Sequence, residues 1–409
     1  VRLEAPFPGY GRGSNGYRRI LAALACAGVA TFAQLYSLQG LLPLLSRDLD
    51  VSASQASLTI SVATLGLAAA VLPWSFVADR WGRVRTMGLA IALATTFGLL
   101  VAAAPNFETL LVLRTLEGAA LGGIPALAMA YLNEEISPLH AGAAAGAYVA
   151  GTSLGGLSGR LLAGPVADLS DWRMATLTVS LTGACAAAGF LWLAPRPQGF
   201  SPVTDTGFTD MLARLLPPLR SRPLLALYAQ AFLLMGSFVS VYNYLGFRLE
   251  APPYLLPATA VALIFLAYLA GTVSSRAVAS VAARFGRRTV LLASIAVMVC
   301  GLAITLAAAL PAILLGLVLF TAGFFGAHSI ASGWTGSMAA AGRAQAASLY
   351  NLSYYAGSSV VGWSAGLVFQ TLGWPALVAT LAVLAAIAAA LAAAMLPAGR
   401  LAPPPPAHH

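Results

Sequence analysis

The chain has 409 residues, of which 59% are hydrophobic and only 9% charged. Soluble domains carry about 25% charged residues, so a soluble globular protein is excluded and a chain that crosses a membrane many times is expected. The net charge is +9, and every basic residue is arginine. The absence of lysine excludes Schiff-base chemistry and lysine phosphate cradles. The arginines follow a topological pattern rather than a patch, so no nucleic-acid partner is expected.

Apolar runs of roughly 20 residues, separated by short polar breaks, predict twelve spans. They lie near 20–44, 54–77, 86–104, 109–132, 142–164, 173–194, 224–246, 257–280, 289–309, 312–335, 346–371 and 375–396. Residues 1–19 read as a cytoplasmic N-terminal tail; they are polar and arginine-bearing, so no cleavable signal peptide is expected. The spans form an N-terminal six-helix bundle (20–194) and a C-terminal one (223–396), joined by a cytoplasmic linker at 195–222. A proline-rich tail at 397–409 ends in His408 and His409, native or a tag remnant, with no function assigned. Cys26, Cys185 and Cys300 sit in apolar runs and read as small buried hydrophobes; no metal site and no cofactor are expected.

Of the arginines, only Arg47, Arg173 and Arg248 fall on outside loops when the N-terminus is placed inside. Arg114 and Arg160 lie within spans, and all others fall on inside segments. This asymmetry predicts both termini in the cytoplasm. Trp172, Trp374, Tyr254 and Phe107 stand at span ends and read as interfacial anchors.

The chain repeats itself at about half its length. SFVADRWGRVR (75–85) returns as ASVAARFGRRT (279–289), and GTSLGG (151–156) as GSSVVG (357–362). Trp172 and Trp374 correspond in the same way. A six-helix unit duplicated in parallel is a transporter architecture.

These residues also carry a family resemblance. Asp79-Arg80-Trp81-Gly82-Arg83 resembles the signature loop of the major facilitator superfamily, and Arg114-Thr115-Leu116-Glu117-Gly118 its fourth-helix motif, with Glu117 where glutamine is usual. GTSLGG resembles the fifth-helix antiporter motif, with Thr152 in the proline place. A closer likeness runs through YSLQGLLPLLS (36–46), YLNEEISP (131–138), GGLSGRLLAG (155–164), LLMGSFVSVYNYLGFRL (233–249), TAGFFGAHSIAS (321–332) and AASLYNLSYYAGSS (346–359). These are similar to the YnfM-type inner-membrane transporters of bacteria, a group labelled as arabinose or drug efflux permeases. The resemblance implies an all-α integral membrane protein of twelve helices in two pseudo-symmetric bundles, in the bacterial inner membrane, acting as a monomer on a small-molecule substrate.

Three groups of residues carry candidate chemistry. The first is the proton-coupling set Arg114, Glu117 and His328. Arg114 and Glu117, three residues apart, share a helical face. Glu117 is the only acid and His328 the only histidine within the spans. Removal from water opposes the charge on Glu117 and an adjacent Arg114 favours it. A substrate or movement that drew Arg114 away would then promote protonation; the bland alternative is a static ion pair. His328 reads equally well as a packing residue. The resemblance places spans four and ten on a central cavity.

The second group is the gate. Asp79 can sit at a helix N-terminus, which the resemblance identifies as that of the eleventh helix. Gly82 permits the tight loop, and Arg80 and Arg83 can reach carboxylates, with Glu134 and Glu135 as natural partners. The second copy has Ala279 and Ala283 in place of glycine and acid, so any carboxylate latch belongs to one half. Arg160, late in span five, either snorkels to the surface or forms an outer gate with Asp168 or Asp171. The third group lines a cavity: Gln34 and Gln39 of span one, Gln230, Ser237, Asn243 and Tyr244 of span seven, and Tyr350, Asn351 and Tyr354 of span eleven. Such a lining suits a neutral or amphipathic solute; its bland alternative is interhelical hydrogen bonding.

The leading reading is a proton-coupled exporter of small organic solutes, drug-like compounds or sugars, working by alternating access. Inward symport, an uncoupled facilitator, and a non-transporting sensor are the alternatives. An enzyme is disfavoured, since no nucleophile–base pair, metal cluster or phosphate loop is present.

Overall fold

The computed structural model describes residues 7–200, 213, 215–339 and 342–398. Linker residues 201–212 and 214 and the end of the tail with His408 and His409 lie outside these residues. The described chain is all helix in its regular structure apart from one isolated parallel bridge, Tyr10 with Ile136. Ten helices among the described residues are long and apolar enough to cross a membrane.

In chain order the elements are α1 (Asn15–Leu35), α2 (Leu42–Asp48), α3 (Ala53–Trp81), α4 (Arg83–Ala102), α5 (Phe107–Leu121), α6 (Pro125–Glu135), α7 (Pro138–Leu169) and α8 (Trp172–Leu193). After the short α9 (Leu216–Leu219) come α10 (Arg222–Glu250), α11 (Ala258–Ala262), α12 (Tyr268–Phe285), α13 (Arg287–Ile304), α14 (Leu310–Met338) and α15 (Arg343–Met395). Local chemistry explains many of the ends. Ser52 and Gln55 close a capping box at the start of α3, and the side chains of Asn106 and Asp171 cap α5 and α8. Each cap satisfies an N–H that the helix itself leaves open.

Two breaks position the candidate site. Span one ends its regular helix at Leu35, passes through a 3-10 turn, and resumes with Pro43 in the first turn of α2. Span four breaks at Gly122 and Gly123, with Pro125 opening α6. Proline lacks the N–H an uninterrupted helix would need and fits the first turn of a new one. The 53-residue α15 is also interrupted, at Gly373, with φ 76° and ψ −173°.

The sequence repeat has a backbone counterpart. Gly82 between α3 and α4 has φ 92° and ψ 150°, and Gly286 between α12 and α13 has φ 88° and ψ 147°. Only glycine adopts such a positive φ without strain, so both copies keep it although the acid at Asp79 is lost in the second.

By packing, the chain forms two compact units. The first comprises residues 1–208 with 243–265; the second comprises 209–242 with 266–409. The division runs through α10, with residues 243–265 grouped in the first unit. Within the first unit α1 packs on α7 and α8, and α3 on α5. Within the second, α14 lies against α12, α13 and α15.

Two readings of single residues are corrected. Cys185 and Cys300 are exposed on their helices and Cys26 is partly so, which places the first two on outward-facing surfaces rather than in a core. Trp172 and Trp374 are buried, with indole N–H groups donating to Asp48 Oδ2 (2.7 Å) and Thr305 Oγ1 (3.2 Å). A buried indole needs an acceptor; Trp374 finds one in the buried Thr305 and Trp172 in the half-exposed Asp48, so both rings pack against protein rather than standing free as anchors.

Candidate functional site

The break after α1 leaves carbonyls at its C-terminus without helical partners, and Arg114 of α5 fills them. Its Nη1 donates to Gln34 O at 3.2 Å and its Nη2 to Leu35 O at 2.5 Å. Its Nε donates to Thr59 O of α3 at 3.1 Å. A cation at a helix C-terminus also meets the negative end of the helix dipole. The remaining bond goes from Nη1 to Glu117 Oε2, at 2.6 Å. The side chains of Arg114 and Glu117 are 0% and 1% exposed, so this ion pair lies wholly inside the first unit. In this conformation it faces no open cavity.

The second carboxylate oxygen points to a small polar cluster. A methyl group placed on Gly98 of α4 would lie 2.7 Å from Gln34 Oε1, 3.1 Å from Glu117 Oε1 and 3.2 Å from Ser180 Oγ of α8. Four helices thus converge at one point. Gln34 Nε2 donates to Ala30 O at 2.7 Å, while its buried Oε1 has no hydrogen-bond donor among the described residues. Gln34, read from sequence as a cavity residue, is part of the ion-pair site instead. The Gly98 and Ser180 contribution carried no sequence signal, since neither belongs to a motif.

His328 lies in the second unit on α14, partly buried. The Tyr350 hydroxyl is 3.0 Å from its Nδ1, and Phe324 stacks on it with ring centroids 5.8 Å apart. Tyr354 approaches to 4.9 Å between centroids. Asn351 is exposed. Here α14 and α15 bring together His328, Tyr350 and Tyr354, three of the residues proposed from sequence.

The other polar residues are engaged within their units. Gln230 Nε2 donates to Ala388 O of α15 at 2.7 Å, and Ser237 to Leu233 O in its own helix at 2.8 Å. Gln39, Asn243 and Tyr244 belong to a network of the first unit. Gln39 Nε2 donates to Asn243 Oδ1 at 2.8 Å, and Tyr244 donates to Ser57 Oγ of α3 at 2.7 Å. Arg160 is 2% exposed. Its Nε and Nη2 donate to Gln39 Oε1 at 3.0 and 2.6 Å, and its Nη1 to Gly156 O at 2.6 Å. Its guanidinium also lies 4.5 Å from the ring centre of Tyr36 and 4.8 Å from that of Phe265. Arg160 is therefore buried and does not snorkel. Asp168 accepts from the backbone of Ala258 and Thr259, and Asp171 from that of Met174.

At the opposite end of the unit, Arg83 bridges two acids. Its Nη1 lies 2.6 Å from Asp79 Oδ1 and its Nε 2.9 Å from Glu134 Oε1, joining the end of α3 to the end of α6. Arg80 does not join this bridge; it lies over the ring of Phe76 at 3.6 Å and donates to Phe76 O. Glu135 accepts from the N–H groups of Gln198 and Gly199, both at 2.7 Å. The start of the linker is thus docked on α6, a contact that two backbone donors make and that no residue type announces.

Residues 24–279 match the family model described as Major Facilitator Superfamily. The chain is 38% identical over 363 residues to the uncharacterized MFS-type transporter YybF of Bacillus subtilis, covering 89% of this chain and 90% of that protein. It is also 38% identical over 376 residues to the inner membrane transport protein YnfM of Escherichia coli, covering 92% and 90%. Two solved structures share the fold: the nucleoside transporter NupG, with a TM-score of 0.75, 15% identity and coverage of 92% of this chain and 100% of that one, and a bacterial homolog of the human lysosomal transporter Spinster, at 0.74, 17%, 93% and 97%. The motif-bearing loop and the broken fourth helix lie inside the matched region. The chain belongs to the major facilitator superfamily and is a multi-pass inner-membrane secondary transporter.

Proposed function

We propose that the protein is a proton-coupled exporter of small organic solutes, acting as a monomer by alternating access, with Glu117 as the proton carrier. The carrying observation is a fully buried acid whose two oxygens have different surroundings. One is held by Arg114 at 2.6 Å; the other borders Gly98, as does Gln34 Oε1, an acceptor without a donor among the described residues. In this reading a protonated Glu117 gains an O–H that a small shift can bring to that acceptor, whereas the ionised form offers it none. Movement of α1 or α5 that loosened the Arg114 bonds would therefore favour proton uptake.

The topology proposed with it has twelve spans and cytoplasmic termini. Ten helices pass as candidate spans; the reading takes α15, interrupted at Gly373, as two crossings and counts the 32-residue α7, which is not among the ten, as a further one. Within the second unit, His328, Tyr350 and Tyr354 are the polar and aromatic groups proposed to contact the solute. Inward symport is the second reading, favoured by Thr152 standing where the antiporter motif has proline.

Proteoliposomes loaded with a candidate solute test the coupling. Transport is expected to follow an imposed pH gradient, and Glu117→Gln to abolish that dependence while solute exchange at equal pH persists. Transport indifferent to both the gradient and the substitution excludes Glu117 as the carrier.

The Arg83 bridge supports a gating role. Partly exposed ion pairs contribute about 1 kcal/mol or less, so Arg83→Ala should lower the melting temperature only slightly. A balance between two transporter states shifts about fivefold for each kcal/mol, so net transport is expected to fall severalfold. Unchanged transport by Arg83→Ala removes the bridge from the gate.

A further inference from the structure

The residues just before α1, read from sequence as part of a tail, are built onto the rest of the first unit. The Tyr10 N–H donates to Glu135 O at 2.7 Å, and the Tyr10 carbonyl accepts from Ser137 N–H at 3.2 Å, which makes the parallel bridge of Tyr10 with Ile136. Gly9 permits the approach. Its φ is +79°, and a Cβ there would lie 2.5 Å from Ser137 N and 2.7 Å from Ile136 C, both backbone atoms. Glycine alone meets both conditions without strain. The chain then passes through Gly11, Arg12 and Gly13, all exposed, to Ser14. The Ser14 hydroxyl accepts from Tyr17 N–H at 3.2 Å, capping α1, and donates to Gly11 O at 2.8 Å.

Glu135 ends α6, the second half of span four, and Arg114 lies on α5, its first half. The helix α1 is therefore fastened to span four at both ends: through Arg114 to Gln34 O and Leu35 O at one, and through Tyr10 to Glu135 O at the other. Only Gly11, Arg12 and Gly13 separate Tyr10 from the cap, so the docked bridge leaves α1 no more than the slack of one short turn. The bridge is the weaker fastening. It is two backbone hydrogen bonds outside any sheet, and such local structure opens at far lower cost than packed helices. A hinge adjoins it: Gly13 has φ +93°, and nothing lies within 4 Å of the Cβ positions of Gly11 and Gly13.

We propose that residues 9–13 form a releasable strap, docked on the end of α6 while Arg114 holds the end of α1, and withdrawn when α1 and span four part. The inference rests on the movement of α1 or α5 invoked above for Glu117. It adds that this movement breaks the Tyr10–Ile136 bridge, at the opposite end of α1 from the ion pair.

A crosslink between Tyr10→Cys and Ile136→Cys tests this in proteoliposomes. Paired strands lie about 4.8 Å apart, within the roughly 4.4–6.8 Å between Cα atoms that a disulfide accepts. Oxidation is expected to form the bond and to lower solute flux in proportion to the crosslinked fraction, and dithiothreitol to restore it. Each single variant, which keeps Cys26, Cys185 and Cys300, should be unaffected. Adding Gly9→Val undocks the strap, so the triple variant should neither crosslink nor lose flux on oxidation. Flux is read at equal pH as well as under a gradient, so the result does not depend on which group carries the proton. A gradient response unchanged by Glu117→Gln overturns the proton carrier alone; full flux through the crosslinked protein overturns the strap alone. Should the double variant fold poorly, hydrogen exchange on the wild-type protein decides: the Tyr10 amide should exchange severalfold faster during turnover than at rest. The proposal is also overturned if no disulfide forms in the folded double variant, or if turnover leaves Tyr10 exchange unchanged.

Discussion

Arg114→Ala is expected to lose both transport and about 3–5 kcal/mol of stability, the usual cost of stranding a buried charge. Four bonds disappear at once: those to Gln34 O, Leu35 O, Thr59 O and the Glu117 carboxylate. Glu117, 1% exposed, is left without its counter-ion. Replacing both members by methionine removes the stranded acid, and replacing a buried pair by apolar residues is often neutral or stabilising. The double variant is therefore expected to regain much of the melting temperature while remaining inactive. Melting curves and proteoliposome uptake on the two variants separate the roles. Wild-type stability in Arg114→Ala would show that the pair does not hold the break in span one together.

Gly118→Leu is expected to yield no folded transporter, and Gly118→Ala to cost about 3 kcal/mol or more, the upper range for overpacking. A Cβ at this position would lie 2.0 Å from Ala63 O and 2.6 Å from Ala63 C. Both are backbone atoms, so no rotamer change relieves the clash, and α3 and α5 must separate. Separation also pulls Arg114 from Thr59 O, since those groups lie on the same two helices. Gly146→Ala is the control, because nothing lies within 4 Å of its Cβ position. Monodisperse yield and melting temperature are the measurements; a stable Gly118→Leu protein would mean that the two helices do not need this approach.

Much of the site was legible residue by residue, but its neighbours were not. Spacing alone puts Arg114 and Glu117 on one face, and they do pair. That Arg114 also closes the end of α1 depends on a break around Tyr36 and Pro43 some eighty positions earlier in the chain. Gln34 and Gln39 looked alike in the sequence. One borders Gly98 together with Glu117 and the other bonds Arg160 and Asn243, because the regular helix ends at Leu35, between them, and Gln39 opens a 3-10 turn. Arg83 and Arg80 stand three residues apart, yet only Arg83 reaches two acids. The other is turned onto Phe76 by its helix.

What the sequence determined by itself about Arg114 and Glu117 was their shared face and their rarity: a membrane interior tolerates few charges, so those present stand out. It also determined the family, the repeated Gly82 and Gly286 loops, and the many apolar spans, because hydropathy and backbone-specific glycines act locally. The tertiary structure alone decided that the pair is enclosed by α1, α3, α4 and α8. It likewise decided that residues 243–265 group with the first unit, and that one buried oxygen of Glu250 has no donor among the described residues. These are contacts between residues far apart in the chain. Which carbonyl, amide or cavity a side chain meets is set by how whole helices pack, and no local pattern encodes it.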